Sequence, residues 1–249
     1  MLLRRIYQFL IIYLLGLSFL LAIKYLLGLS DYVIPGIVDM WRVFAGEFGR
    51  YFLDAVDTLS VAVVGQVISI LVALTIGIVG RQATWFGSFV KVAAYNVQAY
   101  PIVAIAPIIF ILLGDGFISR LLIAAMICYF PLLLSIIGIM SEPIEDIEHF
   151  YRVTGRMRWQ LEVKIRAFEN LNKLTTVIAG SATLAMAGTI VAEFIAADAG
   201  IGYSIRIALY QSDLAKVLAA LFLIGITLSV YQGLLEWTGA RVRQRWEKG

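Results

Sequence analysis

The feature that most constrains this chain is a series of apolar segments, each long enough to cross a lipid bilayer. A helix that spans the hydrocarbon core needs roughly 20 mostly apolar residues. Six segments meet this requirement, at about 6–27, 55–79, 92–113, 117–140, 174–197 and 216–237. With 61% hydrophobic and only 15% charged residues, the chain has too few polar side chains for a water-facing surface. We therefore predict an all-α membrane protein with six transmembrane helices in a single domain over residues 1–249.

The distribution of basic residues predicts the orientation of these spans. The first segment follows Arg4 and Arg5, but its apolar stretch is too long for a signal peptide and no small-residue cleavage site follows, so we expect it to be retained. Fourteen of the twenty Lys and Arg residues fall in the N-terminus, the second-to-third and fourth-to-fifth connections, and the C-terminal tail. Basic residues next to spans mark the cytoplasmic side. The sequence thus predicts a multi-pass protein of the cell inner membrane with both termini in the cytoplasm.

Between the first two spans, apolar residues recur at helical spacing. Ile37, Met40, Trp41 and Phe44 are part of this pattern, with charged residues in between. The pattern predicts an amphipathic helix over residues 37–53 at the outer interface. Asp54 would then cap the second span by accepting hydrogen bonds from its free N–H groups. We prefer this capping role to the alternative, in which Asp54 and Asp57 together bind a cation.

A charged connection over residues 141–170 follows the fourth span. Acidic residues surround Pro143, Gly155 suits a helix C-cap, and a second amphipathic helix follows. Two short helices joined at a glycine can transmit rigid-body motion into the bundle, or can lie against anionic lipid headgroups. The coupling candidates are His149, Gly155, Arg156, Met157, Arg158, Trp159, Leu161 and Ile165.

A few polar groups and helix-breaking residues within the spans are candidates for a pathway or gate. An acidic side chain at membrane depth is costly unless it is paired or hydrated. Glu193 therefore lines a gate, reaches water at the outer surface, or caps the loop at Gly200 and Gly202. The other candidates are Asn96, Gln98, Pro101, Thr189, Gly200 and Gly202. For Asn96, Gln98 and the small residues of the fifth span, we prefer interhelical packing to a role in the pathway.

Two segments carry a resemblance to a known family. From Tyr100 the chain reads YPIVAIAPIIFILLGDG, and from Val191 to Tyr203 it reads VAEFIAADAGIGY, with the charged connection between them. In this order they resemble the permeases of binding-protein-dependent ABC importers, in the branch for nitrate, sulfonate, taurine and thiamine precursors. The resemblance covers roughly residues 33 to 240. It implies an ABC importer type I permease-like bundle with short cytoplasmic coupling helices.

The coupling loop of that family follows the pattern Glu-Ala-Ala, three residues, Gly, nine residues, Ile, any residue, Leu, Pro. Gly155 and Ile165 match this pattern. The remaining positions depart from it, with His149 at the Glu, Phe150 and Tyr151 at the alanines, and Ala167 and Phe168 at the Leu-Pro pair. The chain thus keeps the glycine at which the family's loop turns, whereas most other side chains of that loop are replaced.

The resemblance also implies partners. The pathway would need separate ATPase subunits that hold ATP and Mg²⁺, a periplasmic or lipid-anchored substrate-binding protein, a second permease copy (homodimer or heterodimer) and membrane lipid. The chain itself is expected to bind no cofactor, metal or nucleic acid, because one histidine and one cysteine provide no metal cluster. It is expected to catalyse no reaction, because no GxSxG, HExxH, Walker or GxGxxG pattern occurs. The alternatives are a secondary transporter, which needs inverted repeats and midplane carboxylates, and a non-transporting membrane scaffold.

Overall fold

A computed structural model describes residues 2–82, 84–98, 100–141 and 167–246, together with His149, Val153, Thr154 and Ile165. This part of the chain is largely helical and contains no β-strand. Its helices are α1 (Leu2–Leu27), α2 (Ile37–Gln82), α3 (Thr84–Gln98), α4 (Ile102–Leu113), α5 (Phe117–Ser141), α6 (Leu171–Ile195), α7 (Ile201–Tyr210) and α8 (Leu214–Trp246). The predicted all-α fold class is therefore confirmed.

Five of the described helices, namely α1, α2, α5, α6 and α8, are long and apolar enough to cross a membrane. The first, fourth, fifth and sixth predicted spans correspond to α1, α5, α6 and α8 and differ from them mainly at their ends. The positions of these four helices therefore agree with the apolar segments of the sequence. The helices in the regions of the second and third predicted spans have different bounds from those predicted.

The predicted interfacial helix is not a separate element, because α2 runs without a break from Ile37 to Gln82. Tyr51 and Ala55 are buried against α7 and α8, so the stretch between the two predicted helices is held in place by packing and stays helical. The prediction that Asp54 caps the start of a span is therefore wrong. This residue lies inside α2, where its carboxylate accepts a hydrogen bond from Ser204 on α7 at 2.5 Å.

The third predicted span consists of two helices, α3 and α4, which are separated at Tyr100 and Pro101. Pro101 is the N-cap of α4, and a residue that precedes a proline is pushed towards extended conformations. Pro107 lies inside α4, which has only 12 residues. The prolines therefore divide this segment, and the count of six spans stays a prediction.

The core of the bundle is formed where α2, α5 and α6 pack closely together. A Cβ on Gly188 of α6 would lie 2.9 Å from the Cα of Ala124 on α5, and one on Gly77 of α2 would lie 2.9 Å from Cγ2 of Ile136. Small residues permit this approach of helix backbones. Buried small residues also line α6 at Ala179, Ser181, Ala182, Ala185 and Thr189.

The first residues of α1, the first residues of α6 and the last turns of α8 lie together at one end of the bundle. Arg5 of α1 forms an ion pair with Glu236 of α8, and Arg243 of α8 donates a hydrogen bond to Asn172 of α6 at 2.9 Å. The opposite end contains the turn between α6 and α7. The positive-inside rule predicts that the first end faces the cytoplasm.

Candidate functional site

A buried carboxylate near the end of α6 organises the end of the bundle that carries α7. Glu193 is fully buried, with 0% of its surface exposed. The Thr58 hydroxyl on α2 lies 2.8 and 3.0 Å from the two carboxylate oxygens, and the backbone N–H of Gly202 on α7 donates to Oε2 at 2.9 Å. The cost of placing this charge at membrane depth is thus offset by protein groups.

Arg120, on the first turn of α5, supplies the counter-charge. Its Nη1 lies 3.2 Å from Oε1 of Glu193 and 2.7 Å from Oδ2 of Asp57 on α2. The Arg120 side chain is 10% exposed and that of Asp57 is 42% exposed, so the cluster extends from the interior to the surface. Among the described residues, the buried Nε of Arg120 has no hydrogen-bond partner.

Two glycines shape the turn that closes over Glu193. Gly200 has a φ of +91°, which glycine adopts without strain, and a Cβ there would overlap the Glu193 carboxylate. A Cβ on Gly202 would lie 2.6 Å from a backbone carbonyl oxygen of α6. Between them, the N–H of Ile201 donates to the Thr58 hydroxyl at 2.9 Å. The start of α7 can approach α2 and α6 this closely only because both positions lack a side chain.

These contacts connect α2, α5, α6 and α7 through one ion-pair cluster. The attraction between opposite charges is strong in a medium of low dielectric constant, and a buried charge that loses its partner is costly. The four helices are therefore held in one arrangement until the whole cluster rearranges. Such a connection suits a gate with two discrete states.

An open cleft of about 900 Å³ lies next to this cluster, between the end of α6 and α7. Its lining includes the side chains of Phe194, Tyr203, Arg206 and Tyr210. The guanidinium of Arg206 lies 5.2 Å from the centre of the Tyr203 ring and donates to the carbonyl oxygen of Ala197 at 2.7 Å. This cleft offers aromatic faces and one positive charge.

The other pathway candidates make none of the contacts that build this cluster. Thr189 is fully buried, and its hydroxyl donates to the carbonyl oxygen of Ala185 within α6 at 3.0 Å, which fits packing. Asn96 is exposed on α3, Gln98 is the last residue of α3, and Pro101 is exposed at the start of α4. The structure therefore groups Glu193, Gly200 and Gly202 and places the α3–α4 residues on elements that do not build the cluster.

Most of the predicted coupling loop lies outside the described residues. His149 is helical and exposed, and Ile165 is helical and half-buried. The coupling candidates that are not among the described residues are Gly155, Arg156, Met157, Arg158, Trp159 and Leu161. The coupling role of this loop stays a prediction.

Sequence reasoning missed Arg120 and Thr58, and it did not predict that Asp57 pairs with Arg120. The signal for Arg120 was present, because an arginine within an apolar span needs a partner and Glu193 needed one as well. Thr58 gave no comparable signal, since a threonine inside a helix commonly bonds to its own backbone. In the part of the chain that the structure describes, no group of three or more His, Cys, Asp or Glu residues could hold a metal ion.

The family of the chain follows from a match that covers most of its length and includes Arg120 and Glu193. Residues 65–244 match the family described as binding-protein-dependent transport system inner membrane component. The chain belongs to this family. The resemblance to binding-protein-dependent ABC permeases is therefore confirmed, and this family member is a multi-pass component of the inner membrane. Arg120, Glu193 and the glycine turn all lie within the matched residues.

Individual members of the family are also similar to this chain. The riboflavin transport system permease protein RibX of Chloroflexus aurantiacus is 41% identical over 154 residues, which are 60% of this chain and 56% of RibX. The formylaminopyrimidine transport permease protein ThiX of Halalkalibacterium halodurans is 22% identical over 202 residues, 79% of each chain. The trimethylamine N-oxide transport system permease protein TmoV of Pelagibacter ubique is 24% identical over 195 residues, 78% of this chain and 26% of TmoV. The match thus spans about half of RibX, a quarter of TmoV and most of ThiX.

Proposed function

We propose that this chain is the membrane-spanning permease subunit of an ATP-binding-cassette importer that carries a small aromatic or anionic solute. Family membership supports the importer assignment. The observation that carries the proposal is the buried Glu193–Arg120 pair, closed by the turn at Gly200 and Gly202. We infer that this cluster is the outer gate of the translocation pathway.

The position of the cluster supports a gate. It lies at the end of the bundle opposite the N-terminal residues of α1, and it connects α7 to three longer helices. Opening requires that the contacts of Glu193 with Arg120 and with the N–H of Gly202 change together, because the glycine turn encloses the carboxylate. Motion of α7 relative to α6 would then open or close the neighbouring cleft.

The lining of the cleft and the similar proteins favour an aromatic solute. Two relatives are named for riboflavin and formylaminopyrimidine, which contain aromatic rings, and a third is named for trimethylamine N-oxide. Tyr203 and Tyr210 offer ring faces for stacking, and Arg206 offers a charge for an anionic group. Among the predicted classes, pyrimidine precursors fit these features better than nitrate, sulfonates or taurine.

The permease role requires partners. ATP and Mg²⁺ would be held by separate ATPase subunits, which we propose contact the coupling loop over residues 141–170, between α5 and α6. A periplasmic or lipid-anchored binding protein would deliver the solute to the end that carries α7. The face of α6 at Thr183 and Ala187 is exposed in the single chain, and its small side chains suit close contact with a second permease copy.

The gate is tested by solute uptake into vesicles that contain the assembled transporter. The variants are Glu193→Gln and Gly202→Val, and the matched control is Asp198→Asn, which removes an exposed carboxylate in the same turn. We expect both variants to lower uptake strongly without lowering the amount of assembled complex, and the control to transport normally. Normal uptake by Glu193→Gln would show that the cluster serves packing alone.

The solute class is tested in the same vesicles with riboflavin, a formylaminopyrimidine, trimethylamine N-oxide, taurine and nitrate. We expect uptake of a ring-containing solute, and we expect Tyr203→Leu to reduce it. Uptake of taurine or nitrate alone would contradict the aromatic assignment while leaving the gate intact.

A further inference from the structure

One turn of α2 carries two carboxylates that contact different helices. Asp54 accepts a hydrogen bond from the Ser204 hydroxyl on α7 at 2.5 Å. Asp57, three residues later, accepts one from Arg120 on α5 at 2.7 Å. The first carboxylate therefore binds α7 directly, whereas the second contacts the cation that pairs with Glu193. The proposed gate requires Arg120 and Glu193 but gives Asp57 no role.

Asp57 and Glu193 share a single nitrogen atom of Arg120. Its Nη1 lies 2.7 Å from Oδ2 of Asp57 and 3.2 Å from Oε1 of Glu193, so the shorter contact is with Asp57. Two carboxylates that are this close repel each other, and both depend on the same positive charge. Each therefore weakens the attraction between Arg120 and the other.

The two carboxylates differ in their exposure. The Asp57 side chain is 42% exposed, whereas that of Glu193 is 0% exposed. An exposed ion pair is worth little, so Arg120 and Asp57 can pair or separate at small cost, whereas a buried charge that loses its partner is costly. Asp57 thus offers Arg120 a position in which its charge stays paired when its contact with Glu193 breaks.

The helices that carry Asp57 and Arg120 are joined directly beside this ion pair. A Cβ on Gly65 of α2 would lie 3.2 Å from the Cβ of Ala124 on α5, and the Ser69 hydroxyl of α2 donates to a backbone carbonyl oxygen of α5 at 3.0 Å. These contacts begin about two turns from Asp57 and one turn from Arg120. They hold the two helices at a fixed distance, so Asp57 stays within reach of Arg120 when α7 moves.

We propose that Asp57 sets how readily the gate opens, because it competes with Glu193 for Arg120. The proposal rests on the proposed function of the cluster as a gate. Without Asp57, Arg120 would pair with Glu193 alone, and the closed arrangement would become more stable. Asp54 should have the opposite effect, because its bond to Ser204 only holds α7 in the closed arrangement.

The test measures how fast a thiol in the turn between α6 and α7 becomes accessible. Ala197 is 1% exposed, so an Ala197→Cys reporter should react with a maleimide only when this turn opens. The native Cys128 is buried, and the chain without the reporter gives its background. The assembled transporter is labelled in lipid nanodiscs, where both faces are accessible. The variants are Asp57→Ala and Asp54→Ala, which remove the same charge from the same turn of α2.

Asp57→Ala should slow labelling by about three- to fivefold, which corresponds to the loss of one partly exposed competing ion pair. Asp54→Ala should accelerate labelling, and Asp57→Glu should restore a rate near that of the native residue. In a Glu193→Gln background, Asp57→Ala should no longer slow labelling, because no second carboxylate then competes for Arg120. A purely structural role of Asp57 predicts faster labelling in both backgrounds.

The outcomes separate this proposal from the gate itself. Native or faster labelling in Asp57→Ala, while Asp54→Ala and Glu193→Gln change the rate, would overturn the role of Asp57 and leave the gate intact. Slowing that persists in the Glu193→Gln background would also overturn it, since Asp57 would then act without competition for Arg120. A rate that none of these variants changes would overturn the gate together with this proposal.

Discussion

The Glu193–Arg120 pair predicts an asymmetry between two substitutions that each remove one charge. In Glu193→Gln, Arg120 keeps its contact with Asp57 at 2.7 Å, and the new amide oxygen can still accept from Thr58 and Gly202. In Arg120→Gln, Glu193 stays fully buried but loses its counter-charge. Among the described residues, Arg120 is the only cation that pairs with Glu193. The second substitution should therefore be the more destabilising.

The magnitudes follow from these contacts. Loss of one partner of a buried ion pair costs about 3–5 kcal/mol, which we assign to Arg120→Gln. In Glu193→Gln the bonds from Thr58 and Gly202 become neutral and the contact with Arg120 is lost, because an amide NH2 would face the guanidinium. This should cost about 1–2 kcal/mol. The double variant removes both charges and should be less destabilised than Arg120→Gln alone. The double-mutant cycle should thus give a favourable coupling energy of about 2 kcal/mol.

The assay is equilibrium unfolding of each purified variant in mixed micelles of dodecyl sulfate and a neutral detergent, followed by circular dichroism. Arg42→Gln is the control, because the Arg42 side chain is 75% exposed and pairs with Asp39 one turn away. Such surface pairs contribute about 0.3–0.5 kcal/mol. If Arg120→Gln were no more destabilising than Glu193→Gln, or if the two effects were additive, the pair would not be coupled as described.

Two further predictions concern orientation and the bundle core. Reporter fusions after Ser30 should report a periplasmic location and fusions at Gly249 a cytoplasmic one, because fourteen of twenty basic residues lie on the predicted inner side; the same location for both fusions would contradict this orientation. Tyr231→Phe should lower the free energy of unfolding by about 1 kcal/mol in the micelle assay, since the Tyr231 hydroxyl donates to the buried Gln66 side chain at 2.6 Å. An unchanged unfolding midpoint would show that this bond adds nothing to stability.

The site was predictable only in part. The sequence indicated that Glu193 needs a partner and that Gly200 and Gly202 form a turn, because an intramembrane carboxylate and closely spaced glycines are local features. It did not indicate that Arg120 is the partner, or that Thr58, 135 residues away, holds the carboxylate. The identity of a partner depends on which helices are neighbours and on how each helix is rotated about its axis. The linear sequence specifies neither of these directly.

The fold shows the same division. The sequence by itself determined that the chain lies in a membrane, that it is helical, and where α1, α5, α6 and α8 lie. The reason is that an apolar segment of about 20 residues in lipid must satisfy its backbone hydrogen bonds internally, which a helix does. Only the tertiary structure decided that α2 continues through the predicted interface, since packing of Tyr51 and Ala55 against α7 and α8 favours one unbroken helix. It alone also brought the first residues of α1 to the end of α8, through contacts between residues more than 200 positions apart. Hydropathy is a property of each segment, whereas these contacts are properties of pairs of segments, and pairs are specified only when the helices pack.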